Sequence, residues 1–403
     1  MSGMVIIGAG EAGARAALAL RERGYDGPVT LVGAEPHAPY ERPPLTKATM
    51  VAKGEAALPV IANQARFAEI GIDMRLGVVA ARIDRAVKRV HLGDGTALPY
   101  EKLLLATGAS PRKLALPGAE HVLYLRTFDD AMALRAALKP GRHMAVVGGG
   151  FIGLELAASA RALGCAVTVI EFAPRILLRG VPEPVAALIA ARHVAEGVEL
   201  WTNAAMERID GHMITMAEGR RLAADCIVAG IGCLPDTALA AAAGLAIDNG
   251  IAVDAQLRTS DPDIHAAGDC CSFPHPLFDN RRIRLEARRN AMDQAALAAE
   301  NMLGGARAHD AVPWFWSDQY DVHLQIAGIA DGAASHVTRD LGPDACLMFH
   351  LASDGRLLAA SGAGPIGKIA KEVKMADLLI ARRAHPDPAG LADPGVRLKG
   401  FLA

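Results

Sequence analysis

The sequence predicts an α/β fold in which two similar domains, one inserted into the other, precede a C-terminal α+β domain. Three observations support this prediction. The chain has 403 residues, enough for two or three domains at about 150 residues each. A pattern of apolar strand, glycine-rich turn and Ala/Leu-rich helix occurs twice, from Met4 and again from Met144. Aromatic residues concentrate in a third region, which begins near Pro313 and contains Trp314, Phe315, Trp316 and Tyr320.

Both glycine-rich turns have the spacing GxGxxG. The first turn contains Gly8, Gly10, Ala12 and Gly13, and the second contains Gly148, Gly150, Ile152 and Gly153. In each copy the helix leads into a second apolar strand, after which an acid follows, Glu35 in the first copy and Glu171 in the second. Strand, turn, helix, strand and acid in this order form the Rossmann-like dinucleotide-binding fingerprint. Its glycines let the backbone approach a pyrophosphate at the helix N-terminus, and its acid accepts a hydrogen bond from an adenosine ribose.

The repetition of the fingerprint makes it informative. A single GxGxxG motif also occurs in βαβ units that bind no ligand, but here the full order of elements is present twice. Two copies therefore indicate two dinucleotide-type ligands. A flavin and a nicotinamide brought together would give hydride-transfer chemistry.

Prolines mark candidate domain boundaries after each copy. Each copy continues into a small β excursion and a closing strand, which ends at Gly108 in the first copy and at Gly232 in the second. Pro111 and Pro117 follow the first closing strand, and Pro235 follows the second. We therefore predict a discontinuous first domain of residues 1–110 and 236–310, an inserted domain of residues 111–235, and a C-terminal domain of residues 311–403.

Composition excludes several classes of protein. Lys and Arg number 42 and Asp and Glu number 44, a net charge of −2 that argues against nucleic-acid binding through phosphate neutralisation. The N-terminus lacks the regions of a secretory signal, and no 18-residue apolar stretch predicts a membrane span. The six cysteines form no CxxC motif, and adjacent Cys270 and Cys271 are poorly placed for a disulfide bond. These features predict a cytoplasmic protein with reduced thiols, no membrane association and no metal site.

Five further motifs carry a resemblance to a known family. They are residues 39–47 (PYERPPLTK), 106–108 (ATG), 125–127 (LRT), 267–270 (AGDC) and 313–320 (PWFWSDQY). Together with both fingerprints, they resemble the FAD-dependent, NADH-oxidising ferredoxin reductases that serve bacterial oxygenases and cytochromes P450. The resemblance covers essentially the whole chain, and residues 313–320 are highly specific for this branch. It implies a glutathione-reductase-like arrangement of the two dinucleotide-binding domains.

The resemblance implies that the first fingerprint binds the pyrophosphate of FAD. Glu35 or its neighbour would contact the adenosine ribose. Relatives often have an Asp where this chain has Ala34, so this contact would either shift to Glu35 or be lost. Asp269 would bind the ribityl chain or the pyrophosphate, and the backbone of Arg288 would face the flavin pyrimidine. The other expected FAD contacts are Arg42, Ala80, Thr107, Gly108, Arg126 and Gly268.

The resemblance also implies three residues at the flavin ring. Lys47 would lie near the N5–O4 edge and stabilise negative charge on reduced flavin. Glu155 would hold Lys47 and touch the nicotinamide amide, and Trp316 would lie near both rings. Each has a plainer interpretation: a solvated loop lysine, a helix-terminal acid favoured by the helix dipole, and a core tryptophan between domains. Strand alternation places Trp314 and Trp316 on the same face, so it is the resemblance that selects Trp316.

The second fingerprint would bind NADH. Glu171 accepts a hydrogen bond from a free 2′-hydroxyl but repels a 2′-phosphate. Arg175 lies four residues further on and by itself would favour NADPH, but relatives that use NADH often have an arginine there. Gly232 matches a backbone position near the nicotinamide-side ribose. We therefore expect NADH to be the electron donor.

The route by which electrons leave follows from the cysteines. No cysteine precedes Cys165, which excludes the disulfide chemistry of relatives with redox-active cysteines near the flavin. Electrons would leave FAD one at a time for a small, acidic [2Fe–2S] ferredoxin, which serves an oxygenase or a cytochrome P450. Two basic groups are either docking sites or solvated surface: Arg281, Arg282, Arg284, Arg288 and Arg289, and Lys368, Lys371 and Lys374. The family inclines to monomers.

Two other functions remain open from the sequence. One is an NADH oxidase or quinone reductase, although residues 389–403 contain Pro394 and Gly395 and do not form the amphipathic helix of a membrane-binding enzyme. The other is an NADH-responsive flavoprotein like the apoptosis-inducing factors, in which NADH binding changes partner interactions. The aromatic segment and the compact length of 403 residues favour the reductase.

Overall fold

The computed structural model describes residues 2–402, which form two compact units. Unit 1 comprises Met1–Glu41, Leu58–Ser110 and Leu234–Ala311. Unit 2 comprises Arg42–Ala57, Pro111–Cys233 and Val312–Ala403. Met1 and Ala403 themselves lie outside the described residues. Each unit is assembled from segments that are far apart in the sequence, so long-range packing defines both of them.

Along residues 2–402, the α-helices separate runs of consecutive strands. The strands are β1 (Gly3–Ile7), β2 (Val29–Gly33), β3 (Ile72–Leu76), β4 (Ala80–Asp84), β5 (Arg89–Leu92), β6 (Ala97–Leu105), β7 (Ala109–Pro111), β8 (Leu123–Tyr124), β9 (His143–Val147), β10 (Ala166–Ile170), β11 (Val198–Trp201), β12 (Met206–Asp210), β13 (Met213–Met216), β14 (Arg221–Ala223), β15 (Cys226–Ala229), β16 (Cys233–Pro235), β17 (Ile251–Ala252), β18 (Ile264–Ala266), β19 (Cys271–His275), β20 (Arg281–Ile283), β21 (Trp314–Gln319), β22 (Val322–Gly328), β23 (Ser335–Asp340), β24 (Cys346–Leu351) and β25 (Leu357–Gly364). The α-helices are α1 (Glu11–Glu22), α2 (Ala48–Val51), α3 (Gln64–Glu69), α4 (Phe128–Ala137), α5 (Phe151–Ala162), α6 (Glu183–Ala195), α7 (Ala238–Ala242), α8 (Arg288–Met302), α9 (Ile366–Ala381) and α10 (Pro388–Ala392). Among residues 2–402, no helix has both the length and the apolar composition needed to cross a membrane.

Unit 1 is built on a parallel sheet with the strand order β3-β2-β1-β6, in which β18 pairs with the other side of β6. All five residues of β1 are buried, as expected for a parallel strand that is covered on both faces. The antiparallel strands β5 and β4 extend the sheet from the early part of β6. Helices α1 and α8 pack against each other, and the buried face of α1 is rich in alanine, which allows their close approach.

Unit 2 repeats this arrangement and adds a second sheet. Its parallel sheet has the order β11-β10-β9-β15-β8, in which β9, α5 and β10 correspond to β1, α1 and β2 of unit 1. The strands β12, β13 and β14 form an antiparallel excursion. The C-terminal strands form an antiparallel sheet of order β21-β22-β25-β24-β23, and α9 packs against β22 and β25. Strand β21 also contacts α5, the helix that follows the second glycine turn.

The structure confirms the predicted fold class. Two Rossmann-like sheets each carry a glycine turn, a helix and a β excursion in the same order, and the segment of residues 111–233 interrupts unit 1 in the sequence. The C-terminal sheet with its helix is an α+β arrangement, as predicted for the third domain.

Buried histidines make the fold sensitive to acid. Burial lowers the pKa of His265 and of His309 from 6.5 to about 4, so both imidazoles are neutral in the folded protein. Unfolded histidines bind a proton below pH 6.5, and the folded state therefore binds fewer protons than the unfolded state between pH 6.5 and about 4. Stability is expected to fall as the pH is lowered through this range, by about 3 kcal/mol at pH 4 for His265 alone.

His265→Leu tests this expectation. The side chain of His265 is 1% exposed, and within residues 2–402 neither of its ring nitrogens has a hydrogen-bond partner, so the substitution removes no hydrogen bond. Denaturant unfolding at neutral and at mildly acidic pH measures the loss. The variant should lose less stability on acidification than the wild type, and an equal loss in both proteins would show that His265 does not contribute.

Candidate functional site

The first glycine turn, between β1 and α1, has the geometry of a dinucleotide-binding turn. Gly8 adopts a φ of +109°, which only glycine adopts readily. A Cβ atom on Gly13 would lie 1.8 Å from the carbonyl oxygen of Gly8, so this glycine allows the close packing of helix on turn. A Cβ atom on Gly10 would instead meet nothing within 4 Å. Gly10 therefore borders an open space at the N-terminus of a 12-residue helix, which suits an incoming pyrophosphate.

The second glycine turn, between β9 and α5, has the same three features. Gly148 has a φ of +101°, and a Cβ atom on Gly153 would lie 2.2 Å from the carbonyl oxygen of Gly148. At Gly150 the nearest atom to such a Cβ would be 3.7 Å away, so this position also faces open space. Ile152, in the first turn of α5, is 39% exposed. By these three features, the positive φ, the close helix contact and the open space, both turns fit a dinucleotide pyrophosphate.

In unit 1, the loops at Thr107 and Asp269 lie against the first turn. A Cβ atom on Gly8 would lie 2.0 Å from the carbonyl oxygen of Ala106, directly before Thr107. A Cβ atom on Gly268 would lie 3.1 Å from the Cβ atom of Ala12. Gly268 therefore packs against the first glycine turn, and Asp269 is the next residue in the chain. Two hydrogen bonds fix the conformation of these loops: the Thr107 hydroxyl donates to the carbonyl of Asp236 at 2.6 Å, and the Gly268 amide donates to Gln294 at 2.7 Å. Gly108, beside Thr107, has a φ of +75°.

The acid of the first fingerprint, Glu35, lies two residues after the end of β2. Glu35 accepts a hydrogen bond from the hydroxyl of Tyr40, and Ala34 is exposed. The amide of Gly77 donates to the carbonyl of Glu35 at 3.0 Å, so the loop that leads to Ala80 runs beside this acid. These contacts bring Glu35 and the start of β4 into one region of unit 1.

Arg288 belongs to a closed ring of four charges in unit 1. Glu11 accepts from Arg15 at 3.0 Å and from Arg288 at 3.2 Å. Glu41 contacts Arg288 and lies 3.7 Å from Arg15. The ring ties residue 41 to the N-termini of α1 and α8, so the side chain of Arg288 is engaged beside the first glycine turn. The sequence indicated a role for the backbone of Arg288 and a place for its side chain in a basic group, but it did not indicate the two glutamates that contact it.

The acid of the second fingerprint is fixed by the turn itself. One carboxylate oxygen of Glu171 accepts from the amide of Gly149, and the other from the amide of Ala173, each at 2.7 Å. Arg175 donates to the backbone carbonyls of Ile176, Leu177 and Val181 at 3.2, 3.2 and 3.0 Å. Its guanidinium is thus engaged by the loop backbone, while Glu171 is held at the glycine turn. Gly232, at the end of the closing strand, has a φ of +102° and its carbonyl accepts from the amide of Arg112 at 2.9 Å.

Lys47 and Glu155 form an ion pair in unit 2, in which Glu155 is buried and Lys47 is partly buried. The Nζ atom of Lys47 lies 2.6 Å from Oε2 of Glu155, whose side chain is 8% exposed. The Thr46 hydroxyl donates to the same oxygen at 2.5 Å, and the Ser317 hydroxyl donates to Oε1 at 2.6 Å. Glu155 lies in α5, two residues after Gly153 of the second turn. The ion pair therefore lies at the N-terminal end of α5, the helix that follows the second glycine turn.

Trp316 lies on the other face of β21 from Ser317. Alternation along the strand directs Phe315, Ser317 and Gln319 to one side, and the Phe315 ring packs on Phe151 of α5 at 4.3 Å between centroids. Ser317 and Gln319 are buried, whereas Trp316 is partly exposed. The contacts in unit 2 thus join Ser317, rather than Trp316, to Glu155.

Arg42 and Arg126 meet in unit 2. The guanidinium of Arg42 donates to the carbonyl of Arg126, and the amide of Arg126 donates to Asp130 at 3.0 Å. Thr127 and Asp130 form a capping box that begins α4. The segment of residues 42–57 is thereby attached to the start of this helix, which orients the chain that leads to Lys47.

The two predicted basic groups differ in structure. In unit 1, Arg284 bonds Glu286 at 2.6 Å, Arg282 donates to the carbonyl of Ser272 at 2.6 Å, and Arg289 lies 3.7 Å from Asp293. Together with the ring at Arg288, these contacts compensate much of the arginine charge. In unit 2, Lys368, Lys371 and Lys374 are all exposed on α9, where Lys368 contacts Asp344 and Lys374 contacts Asp377, each at 2.5 Å.

Sequence reasoning did not identify Thr46 and Ser317. Both are direct neighbours of residues that it did select, Lys47 and Trp316, and both lie within the quoted motifs. The available signal was strand alternation, which shows that Trp316 and Ser317 face opposite ways but not which face meets Glu155.

Comparison with known proteins shows the family of the chain. Residues 2–298 match the family described as pyridine nucleotide-disulphide oxidoreductase, and residues 314–402 match the domain described as reductase C-terminal. The ferredoxin--NAD(+) reductase component of the anthranilate 1,2-dioxygenase system of Burkholderia cepacia is 44% identical over 99% of this chain and 98% of its own length. The putidaredoxin reductase of Pseudomonas putida is 36% identical over 99% and 96%.

A solved structure matches the whole chain as well. The crystal structure of the covalent putidaredoxin reductase–putidaredoxin complex superposes with a TM-score of 0.94 at 35% identity, and the match covers 100% of this chain and 98% of that one. The family that the motifs predicted is confirmed. Since the family match spans most of the sequence and these relatives align along almost their full length, the chain belongs to the pyridine nucleotide-disulphide oxidoreductases and, within them, to the ferredoxin--NAD(+) reductases.

Proposed function

We propose that this protein oxidises NADH through bound FAD and passes single electrons to a small, acidic [2Fe–2S] ferredoxin that serves an oxygenase or a cytochrome P450. The observation that carries the proposal is the ion pair between Lys47 and the buried Glu155, which lies in α5 directly after the second glycine turn. All six cysteines are free thiols, and none lies before Cys165. The segment that contains Lys47 therefore has no cysteine that could form a redox-active disulfide. The named relatives act with ferredoxin or putidaredoxin, which supports this class of partner.

The first glycine turn, with Asp269, Thr107 and the loop before Ala80, would hold FAD. When bound, FAD accepts a hydride and gives up electrons singly, which is the chemistry that NADH and a ferredoxin together require. The open space beside Gly10 would take the pyrophosphate, and the amides at the start of α1 would donate to it. The ring at Arg288 would keep the two helix N-termini together while these contacts form.

The Lys47 ammonium would balance negative charge on the reduced cofactor. A preorganised cation in a mostly buried site stabilises developing charge more than a solvated one does, because it needs no reorganisation when the charge appears. Glu155, Thr46 and Ser317 fix the position of that ammonium and of the carboxylate beside it. The second glycine turn would hold NADH, with Glu171 accepting from the 2′-hydroxyl of its adenosine ribose.

Glu171 should determine the choice between NADH and NADPH. Glu171→Ala removes the acceptor for the 2′-hydroxyl and the repulsion of a 2′-phosphate, so the KM for NADH should rise about tenfold while the KM for NADPH falls. Steady-state kinetics with both nucleotides measures the change. Arg175→Leu is the matched control: because the Arg175 guanidinium is engaged by backbone carbonyls, the ratio of the two KM values should stay as in the wild type. A specific loss of NADPH use in Arg175→Leu would contradict this assignment.

The proposed function is tested by NADH-driven reduction of cytochrome c, with and without an added [2Fe–2S] ferredoxin. The purified FAD-loaded protein should reduce cytochrome c rapidly only when ferredoxin is present, and far more slowly with NADPH. Rapid reduction of oxygen or of a quinone without stimulation by several ferredoxins would support an NADH oxidase or quinone reductase instead. A slow reaction with NADH that leaves a long-lived charge-transfer complex would support an NADH-responsive flavoprotein.

A further inference from the structure

A row of buried polar side chains leads away from Glu155 toward α6. The Ser317 hydroxyl contacts Glu155 Oε1 at 2.6 Å, and Gln319 Nε2 contacts Ser317 Oγ at 3.0 Å. Gln319 Oε1 contacts His193 Nε2 at 2.8 Å, and His193 Nδ1 lies 3.4 Å from the hydroxyl of Tyr320. Glu155, Ser317, Gln319 and His193 are 7%, 0%, 2% and 0% exposed, so no solvent replaces these contacts.

The direction of every donor in this row is determined in turn. The Glu155 carboxylate only accepts, so Ser317 donates its O–H to it, and a lone pair of Ser317 Oγ accepts from the amide nitrogen of Gln319. The amide oxygen of Gln319 then accepts from Nε2–H of His193. Burial lowers the pKa of His193, so the ring is neutral and its Nδ1 is left to accept from Tyr320. All four donors therefore point toward Glu155.

The row connects three separate elements of unit 2. Glu155 is on α5, His193 is on α6, and Ser317 and Gln319 are on β21. Tyr320, at the end of the row away from Glu155, is also held in place. Its φ is +57°, its ring centroid lies 5.1 Å from that of His193, and the Arg192 guanidinium lies 5.0 Å from the centroid of the Tyr320 ring. A non-glycine residue in this conformation is uncommon and persists where surrounding contacts require it.

We infer that Ser317, Gln319 and His193 are positioning residues that hold the Glu155 carboxylate, and through it Lys47, in the orientation used for reduction of the cofactor by NADH. The inference rests on the proposed function and deepens it. Oε2 of Glu155 is held by Lys47 and Thr46, whereas Oε1 is held by Ser317. Without that donor the carboxylate turns about its broad terminal torsion, and the ammonium bound to it moves with it. Displacing a catalytic group by about 1 Å lowers the rate of the reaction considerably.

Paired variants at His193 separate positioning from simple loss of a buried ring. His193→Leu removes the donor to Gln319, whereas His193→Gln keeps an amide donor close to the position of Nε2. Ser317→Ala removes the last donor in the row with the smallest change in volume. His350→Leu is the control, because His350 is another buried histidine of unit 2, on β24, and does not belong to the row. Each FAD-loaded protein is mixed with NADH without oxygen, and the loss of visible flavin absorbance is followed at several NADH concentrations.

His193→Leu and Ser317→Ala should lower the limiting rate of flavin reduction about tenfold, with the half-saturating NADH concentration and the FAD content unchanged. His193→Gln should restore the rate to within about twofold of the wild type, and His350→Leu should not change it. A wild-type rate in Ser317→Ala, or equal rates in His193→Leu and His193→Gln, would overturn the inference. If His193→Leu does not retain FAD, Ser317→Ala decides alone, because it removes only one hydroxyl.

The same measurement keeps this inference separate from the proposed function. Flavin reduction by NADH is followed without any ferredoxin, so failure to find a ferredoxin partner leaves the comparison of variants intact. If NADH does not reduce the flavin of the wild-type protein, the proposed function itself is wrong, and the positioning role is wrong with it.

Discussion

Lys47→Met is expected to lower the limiting rate of flavin reduction by NADH about 100-fold, because it removes the charge that balances the reduced cofactor. Methionine has a similar length and keeps the apolar contacts of the lysine stem. The loss should appear in the limiting rate rather than in the half-saturating NADH concentration, since the second glycine turn and Glu171 are untouched. Anaerobic mixing of the FAD-loaded protein with NADH measures both quantities.

Two further variants show whether the charge or the packing is responsible. Lys53→Met is the matched control, since Lys53 is an exposed lysine of the same segment, residues 42–57, and its loss should leave the rate unchanged. Removing Lys47 also leaves the Glu155 carboxylate buried without its counter-ion, which destabilises the fold. The double variant with Glu155→Gln should recover that stability but not the rate. Recovery of the rate in the double variant would show that an unpaired carboxylate, and not the missing ammonium, slows the reaction.

The sequence was sufficient to identify the two glycine turns because their chemistry is local. Within six residues, Gly8 allows a tight turn, Gly10 leaves open space for a ligand, and Gly13 allows the helix to pack closely on the turn. The structure shows each of these features. The same holds for the second copy. A local backbone requirement of this kind is visible in the sequence, because only glycine meets it.

The residues around Glu155 were harder to predict because they are distant in the sequence. Lys47 and Glu155 were selected through the family resemblance, but nothing in their spacing shows that they touch. Ser317 depends on which face of β21 meets α5, and that is decided by the packing of Phe315 on Phe151. The row from Glu155 to His193 crosses three elements, so no single periodicity describes it.

Charge is another property that the sequence shows only in part. Five arginines within residues 281–289 predict a strongly basic surface if they are counted alone. In the structure Glu11 and Glu41, more than 240 positions away in the chain, face Arg288, and Glu286 faces Arg284. Two of the three exposed lysines of α9, Lys368 and Lys374, contact an aspartate, but their helix presents all three on one side. Counting the charges of one segment therefore overestimates the positive charge of its surface, because the acidic partners come from distant parts of the sequence.

Gly10→Ala and Gly150→Ala should each weaken the binding of a different ligand while leaving the fold intact. Neither glycine has a positive φ, and an added Cβ atom would meet nothing within 4 Å at Gly10 and nothing nearer than 3.7 Å at Gly150. The methyl group would instead occupy the space into which a pyrophosphate must come. Overpacking of this kind costs about 1–3 kcal/mol, so binding should weaken about 10- to 100-fold at each site. Gly10→Ala should be purified with little FAD, whereas Gly150→Ala should keep FAD and show a raised KM for NADH.

Gly367→Ala provides the control for these two variants. Gly367 also faces open space, its φ is ordinary, and it lies in the first turn of α9, so alanine there should change neither ligand. The FAD content of the purified proteins and the KM for NADH together test the assignment of turns to ligands. If Gly150→Ala loses FAD while Gly10→Ala retains it, the two ligands are exchanged between the turns. If both variants keep FAD and a normal KM, the open spaces beside these glycines do not receive pyrophosphates, because a methyl group in the path of a phosphate oxygen cannot be accommodated without loss of contact.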